Sequence, residues 1–280
     1  MAKPLVEMVL IPAGEFMMGA LPDDEHAKDW EKPCHRVKIT KDFYVGKYPV
    51  TQKAWEAVME NNPSKYKVKN RPVEQVRWFD CILFCNQLSE LEGKQPVYQG
   101  LEGYQIGQQF TDKNPFGDSD TASKIAENIV CNWEADGYRL LTEAEWAYCA
   151  RSGEEYLYAG SNNLDEVGWY SENANRRTQL VGKKKPNAFG LYDMSGNVQE
   201  HVWDWFDENL YGSRSGEVIS DPRGPDKGLR KVLRGCSYAH WHPKDLRISS
   251  RQRLSLTWGD SYSTNGLRVA RGKSGDGKVF

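Results

Sequence analysis

Residues 190–206, GLYDMSGNVQEHVWDWF, carry much of the information about how this chain folds. Gly190 and Gly196 predict tight turns, because glycine adopts backbone conformations that other residues avoid. Asn197 and Glu200 place an amide and a carboxylate oxygen three residues apart on an expected loop. With backbone carbonyls of the Gly-Asn turn, they form a candidate hard-cation site, for calcium before magnesium. A turn in which these side chains cap local amides explains the residues equally well.

A second unusual stretch is residues 237–263, SYAHWHPKDLRISSRQRLSLTWGDSYS. Aromatic and histidine side chains are mixed with polar ones, and no helical or strand period is visible. His240, His242 and Asp245 are a candidate metal set. No further strong ligand follows nearby, and Pro243 disturbs the local geometry, so a solvent-facing loop is favoured. A catalytic pocket, a binding surface and a structural loop all remain open from these residues alone.

Arginines recur through the same region, at Arg247, Arg251, Arg253, Arg268 and Arg271. A phosphate-binding cluster is one interpretation. Because the overall charge is balanced, ion pairs that fix the loops are favoured instead. The available carboxylate partners include Glu143, Glu145 and Asp193.

The composition excludes several classes of protein. The chain has 280 residues, 39% hydrophobic and 27% charged, which is typical of a globular protein with a packed core. The net charge of -2 predicts no nucleic-acid partner and no long-range attraction to an anionic membrane. No apolar run is long enough to cross a bilayer, so we expect no membrane insertion. The N-terminal residues lack a signal-peptide layout, which fits a cytoplasmic protein or a mature form without its leader.

The six cysteines form no CxxC pair. Cys81 and Cys85 are one helical turn apart, a spacing that points both into a core and suits neither zinc nor a disulfide. Cys236 follows an apolar strand signal, with no helix start or basic cluster to lower its pKa, so a structural thiol is favoured.

Three helices are predicted, and the remaining chain is read as short strands and long loops. Thr51 opens the first helix, residues 79–94 form the second, and Thr142 with Glu145 makes a capping box for the third. Residues 8–19 and 35–51 show alternating apolar positions typical of strands. After residue 161 no convincing helix is visible, so an α+β fold with much ordered loop is expected.

Seven motifs follow one another in the order found in the formylglycine-generating-enzyme (sulfatase-modifying factor) family. These are IPAGEFMMG, YPVTQKAW, RPVEQVRWFDCILFCNQLS, GYRLLTEAEWAYCAR, GLYDMSGNVQEHVWDWF, VLRGCSY and GLRVAR. The chain resembles that family over roughly residues 7–271. The resemblance implies one domain, residues 1–280, with the family's C-type lectin fold. That fold has a small twisted antiparallel sheet, two main helices and many ordered loops.

The resemblance also implies what this chain lacks. In the enzymes, a cysteine pair after the RGGS strand binds copper and oxidises a substrate cysteine. Here His240 and Asp245 stand at those two positions, and Cys236 replaces the second glycine of RGG. No copper and no catalytic residue are therefore expected, although a formylglycine-generating or related oxidase acting on a protein cysteine is retained as the alternative.

The family's calcium site maps onto Asn197, Val198 and Glu200, with carbonyl and carboxylate ligands. The family usually has Trp at the positions of Gln199 and His201, so the local shape can differ here. A structural calcium ion is therefore the one cofactor expected from the resemblance.

One branch of the family, the variable proteins of diversity-generating retroelements, fits the C-terminal stretch better, and within it the chain resembles the TvpA-like lipoproteins. Residues 234–271 then form a candidate variable ligand-binding region. The expected framework residues are Arg234, Gly235, Ser237, Leu246, Arg247, Arg251, Gly266, Arg268 and Val269. The expected exchangeable, ligand-binding residues are Tyr238, His240, Trp241, His242, Asp245, Ser250, Gln252, Leu254, Ser255, Trp258, Asp260, Tyr262 and Ser263.

This resemblance predicts a non-enzymatic binding and display protein whose partner is an unknown protein or cell-surface ligand. It implies a lipid-anchored protein at the cell surface, whose leader is absent from this sequence; a cytoplasmic location is the alternative. A structural paralogue, in which the C-terminal stretch is only a loop, is a third hypothesis.

Overall fold

The computed structural model describes residues 4–101, 119–214, 216–256 and 262–273. Five α-helices lie within these ranges: α1 Gln52–Met59, α2 Trp78–Leu91, α3 Ser119–Glu127, α4 Glu143–Arg151 and α5 Leu164–Val167. The predicted helices are α1, α2 and α4, whereas α3 and the single turn α5 were not predicted. Within this part of the chain, no helix is long and apolar enough to span a membrane.

The predicted helix starts are confirmed in detail. At α1, the Thr51 side chain accepts a hydrogen bond from the Ala54 amide at 3.3 Å. At α4, Thr142 Oγ1 accepts from the Glu145 amide at 3.1 Å, and Glu145 Oε2 accepts from the Thr142 amide at 2.9 Å. Both ends therefore satisfy amides that a helix leaves without internal partners.

Fifteen short strands are present in the described ranges, and several pair over long sequence distances. Their bounds are β1 Met8–Ile11, β2 Gly14–Met18, β3 His35–Ile39, β4 Phe43–Gly46, β5 Tyr98–Gln99, β6 Val130–Cys131, β7 Tyr138–Leu140, β8 Gly168–Trp169, β9 Ser195–Gly196, β10 Gln199–Trp205, β11 Ile219–Ser220, β12 Arg230–Arg234, β13 Gln252–Ser255, β14 Asn265–Leu267 and β15 Val269–Gly272.

Two four-stranded sheets organise the fold, with strand orders β1-β4-β15-β7 and β13-β12-β10-β14. The first is antiparallel throughout, as predicted. In the second, β14 runs parallel to β10, so the expectation of an antiparallel sheet is incomplete. A smaller sheet, ordered β11-β3-β2, also contains a parallel pair, β11 with β3.

The interior is packed mainly around α2 and α4. On the α2 side, Trp55 stacks on Phe84 with ring centroids 5.0 Å apart, and Trp78 is fully buried. Cys81 and Cys85 are buried there as free thiols, which confirms the core role read from their spacing. Trp146 of α4 is buried in the second cluster. These cores hold β12, and the loop that follows it begins the predicted variable region.

Candidate functional site

A set of buried arginines holds the C-terminal region in place, and Arg251 shows the principle. Its Nε and Nη2 atoms donate to the two oxygens of Glu143 at 2.7 and 2.9 Å. Arg234 Nη1 lies 3.6 Å from the same carboxylate. Burial alone would raise the pKa of Glu143, but Arg251 and Arg234 bring it below its ordinary value. The expected ion pairing of these arginines is therefore seen at Arg251, and its partner, Glu143, is one of the carboxylates suggested as available.

Arg247 ties the C-terminal region to a loop near the N-terminus. Its guanidinium contacts Asp24, donates to Glu31 Oε2 at 2.9 Å and donates to the His26 carbonyl at 3.0 Å. All three ionised groups are nearly fully buried. Buried charges are tolerated only when they are paired in this way.

Arg268 forms the third ion pair, with Glu200. The closest contact, from Arg268 Nη2 to Glu200 Oε1, is 2.8 Å. Trp146 Nε1 donates to the other oxygen, Oε2, at 2.7 Å. Of the remaining suggested carboxylates, Glu145 pairs instead with Arg139, at 2.6 Å.

The same contacts bear on how well Asn197, Val198 and Glu200, the residues predicted to hold calcium, fit such an ion. The Glu200 carboxylate already faces a guanidinium, which would repel a second cation. The side-chain oxygen of Asn197 accepts from the Gln179 amide at 3.0 Å, and its carbonyl accepts from the Tyr238 amide at 3.0 Å. The Glu200 carboxylate is held in an ion pair and the Asn197 oxygens accept from distant backbone amides, so these two residues do not fit a calcium ion.

The framework and the exchangeable positions separate only partly by burial. All nine predicted framework residues are buried. Among the exchangeable positions, Trp241, His242 and Tyr262 are exposed, with Trp241 at 63% and Tyr262 at 52%. The half-buried positions are His240, Asp245, Gln252 and Ser263.

Three predicted ligand-binding residues are corrected by the structure. Tyr238 is only 4% exposed, because its ring packs edge-on against Tyr66 and its hydroxyl lies 3.0 Å from Ser263 Oγ. Ser250 and Leu254 are buried as well. Ser255 lies in β13, and Trp258 and Asp260 lie outside the described residues.

The exposed part of the region surrounds a shallow, open recess of about 500 Å³. Its lining residues are Ala239, His240, Trp241, His242 and Asp245. His240 Nδ1 accepts from the Ser237 amide at 3.1 Å, and burial lowers the pKa of its imidazole. Asp245 approaches Lys28 Nζ at 3.9 Å. In the described ranges, no three His, Cys, Asp or Glu side chains assemble as a metal-binding group.

Cys236 contacts Asp245, which lines this recess, and is poorly suited to act as a nucleophile. The thiol is buried and donates to the Asp245 carbonyl at 2.7 Å. Burial, and next the Asp245 charge, raise its pKa to about 12. Its φ of 56° is in the left-handed region that favours glycine, which explains why the family has glycine here. The structural role predicted for this thiol is supported.

Sequence reasoning missed residues from other parts of the chain that contact the C-terminal region. Lys28 contacts Asp245, and Tyr66 packs on Tyr238 with ring centroids 5.9 Å apart. Trp30 lies 5.7 Å beneath the Arg253 guanidinium. These residues are far along the chain from the C-terminal region, so no local pattern predicted the contacts. The one available signal was the acidic residues near Lys28, Asp24 and Glu31, which pair with Arg247.

Comparisons with known proteins agree with the resemblance read from the motifs. The model of the sulfatase-modifying factor enzyme 1-like domain matches residues 1–273. The chain is 38% identical over 232 residues to chaperone protein LppX of Paenibacillus barcinonensis, covering 68% of this chain and 80% of that protein. It is 29% identical over 297 residues to the formylglycine-generating enzyme of Bos taurus, covering 96% and 75%.

Among solved structures, Treponema denticola variable protein 1 superposes with a TM-score of 0.78 at 32% identity. The match covers 95% of each chain. These similarities confirm the predicted α+β, C-type lectin fold of the formylglycine-generating-enzyme type and the likeness to a variable protein.

Proposed function

The chain belongs to the sulfatase-modifying factor enzyme 1-like family, and we propose that it acts in that family as a binding protein rather than an enzyme. In this proposal residues 234–271 present exposed side chains to a ligand on a rigid scaffold. The observation that carries it is the contrast within that segment. Buried, ion-paired arginines alternate with exposed Trp241, His242 and Tyr262.

Rigid support favours recognition, because less conformational entropy is lost on binding. Arg247 and Arg251 are fixed by carboxylates more than 100 residues away, with sequence separations of 223 and 108 to Asp24 and Glu143. The exposed loop between β12 and β13 is therefore held by contacts with two distant parts of the chain. Trp and Tyr side chains then supply large contact areas with few rotatable bonds.

The residue types at the recess also favour binding over the family's oxidation chemistry. His240 and Asp245 occupy the positions that the resemblance assigns to the catalytic cysteines. The nearby thiol of Cys236 is buried, with its pKa raised to about 12, so little thiolate forms at neutral pH. A cell-surface, lipid-anchored location and a protein or cell-surface ligand are part of the same proposal.

The binding proposal is tested by truncating the exposed aromatic residues. Ligands that bind the intact protein are first selected from protein and glycan arrays, and their Kd values are then measured by biolayer interferometry. The Trp241→Ala/Tyr262→Ala variant should weaken binding by tenfold or more, an order-of-magnitude loss typical of aromatic hot spots. The matched control is Leu91→Ala/Leu229→Ala, which removes two side chains that are 61% exposed elsewhere.

Equal affinity of the aromatic variant and the leucine control for every selected ligand would show that the face is misassigned. The enzymatic alternative has its own assay. The protein is incubated with copper and a cysteine-containing sulfatase peptide, and aldehyde is measured by mass spectrometry. Aldehyde formation would overturn the binding proposal.

A further inference from the structure

Two loops concentrate positive charge although the whole chain is nearly neutral. Residues 65–71 read KYKVKNR and residues 176–185 read RRTQLVGKKK, with no acidic residue in either. The whole chain, by contrast, has 37 basic and 39 acidic residues. We call these two segments the basic surface; its cations are Lys65, Lys67, Lys69, Arg71, Arg176, Arg177, Lys183, Lys184 and Lys185.

The fold brings the two segments together. The Tyr66 hydroxyl donates to the Arg176 carbonyl at 3.0 Å, and the Val181 amide donates to the Asn70 carbonyl at 3.0 Å. Burial, followed by the charge of Arg177, lowers the pKa of Arg71. Cations from both loops therefore share one local field, and their summed potential depends on this arrangement rather than on net charge.

Few of these charges form ion pairs within the protein. Within the described residues, the ion pair involving this surface is Lys185 with Glu166, at 3.9 Å. Arg71 Nε is buried without a hydrogen-bond partner. Seven of the nine cations are exposed; Arg71 and Lys184 are half-buried. Holding like charges together destabilises the free protein and leaves this surface suited to an anionic partner.

Two aliphatic side chains stand among the cations. Val68 is 41% exposed and Leu180 is 37% exposed. Lysines outnumber arginines six to three, and a lysine acts as a point charge on a flexible stem rather than as a fixed fork for one anion. Exposed aliphatic groups among flexible cations match the interface of a bilayer, where anionic headgroups lie above acyl chains.

We propose that the basic surface docks the protein peripherally on an anionic phospholipid bilayer. The cations would contact lipid phosphates, while Val68 and Leu180 would enter the headgroup layer. None of the nine cations is among the exposed residues assigned to the ligand-binding face, although Tyr66 of the same segment packs on Tyr238. A lipid anchor, where present, would gain from such a second attachment, since one acyl chain alone binds membranes reversibly.

The test is co-sedimentation of the full chain with phosphatidylcholine vesicles that contain increasing fractions of phosphatidylglycerol. Binding should rise with the anionic fraction and fall with added salt. The Lys65→Gln/Lys67→Gln/Lys69→Gln variant should lose on the order of 100-fold in partition coefficient. The Val68→Ser/Leu180→Ser variant should bind more weakly at unchanged charge.

The matched control is Lys32→Gln/Lys38→Gln/Lys41→Gln, which removes the same charge from exposed lysines elsewhere. Circular dichroism and thermal melting establish that each variant is folded. Equal binding by the two triple variants would overturn the proposal. So would binding of the intact protein to heparin or polyphosphate without binding to anionic vesicles, since the partner would then be a soluble polyanion.

Discussion

Replacing Arg251 by alanine removes the guanidinium that faces Glu143 in the protein interior. Two short hydrogen bonds, at 2.7 and 2.9 Å, are lost, together with donation to the Trp30 carbonyl at 2.8 Å. Glu143 stays buried, with Arg234 as the remaining cation, 3.6 Å away. In the variant, the buried negative charge of Glu143 is therefore only partly balanced by a neighbouring cation.

Breaking one side of a buried ion pair costs about 3–5 kcal/mol of unfolding free energy, which is the loss we expect near pH 7. That is a large part of the roughly 5–15 kcal/mol available to a typical domain. The loss should depend on pH. In the intact protein the pKa of Glu143 is lowered, so its contribution is present above the unfolded pKa and declines as pH falls.

In the variant, burial should instead raise the pKa of Glu143, so that the carboxyl destabilises the fold as pH rises. The difference between the two proteins should therefore shrink by about 1 kcal/mol or more between pH 7 and pH 4. Urea unfolding followed by tryptophan fluorescence measures it. Glu143→Gln in the Arg251→Ala background is the control, and it should recover part of the loss. A loss below about 1 kcal/mol, or one unaffected by Glu143→Gln, would refute the reasoning.

Two further predictions concern buried titratable groups. Burial lowers the pKa of His201 to about 4, so the stability it contributes is present above its unfolded pKa of about 6.5 and is lost as pH falls. His201→Gln retains a donor for the Val76 carbonyl but does not titrate. It should therefore flatten this loss of unfolding free energy, which is up to about 3 kcal/mol in the intact protein. Urea unfolding measured across that pH range tests this, and an unchanged pH profile contradicts it. Cys236 should resist iodoacetamide in the folded protein and react in denaturant, as read by peptide mass spectrometry; labelling of the native thiol would refute its assigned burial.

Local signals in the sequence predicted the elements that local chemistry determines. The capping box of Thr142 with Glu145 marks the start of α4, because both partners lie within one helical turn. The pairing of Arg251 with a carboxylate followed from charge balance. Which carboxylate pairs with which arginine depends on the folded topology. Of the suggested carboxylates, Glu143 pairs with Arg251, whereas Glu145 pairs with Arg139.

The contacts of the residues predicted to bind calcium could not be read locally for the same reason. Nothing near Glu200 in sequence reveals that Arg268, 68 residues away, faces it. Likewise, an alternating pattern cannot show that Tyr238 turns inward against Tyr66, because the two loops meet only in the fold. Resemblance identified the framework residues, whereas the separation of exposed from buried positions required the structure.

The order of the first sheet has a consequence for how the chain folds during synthesis. Strand β15 pairs with both β4 and β7, so β4 gains this neighbour only after all the chain between β4 and β15 has been synthesised. Loop-closure entropy makes such distant pairing slow, and an unpaired strand edge is prone to aggregation while it waits. Until β15 has been synthesised, β4 and β7 therefore each keep an edge that is open to pairing with other chains.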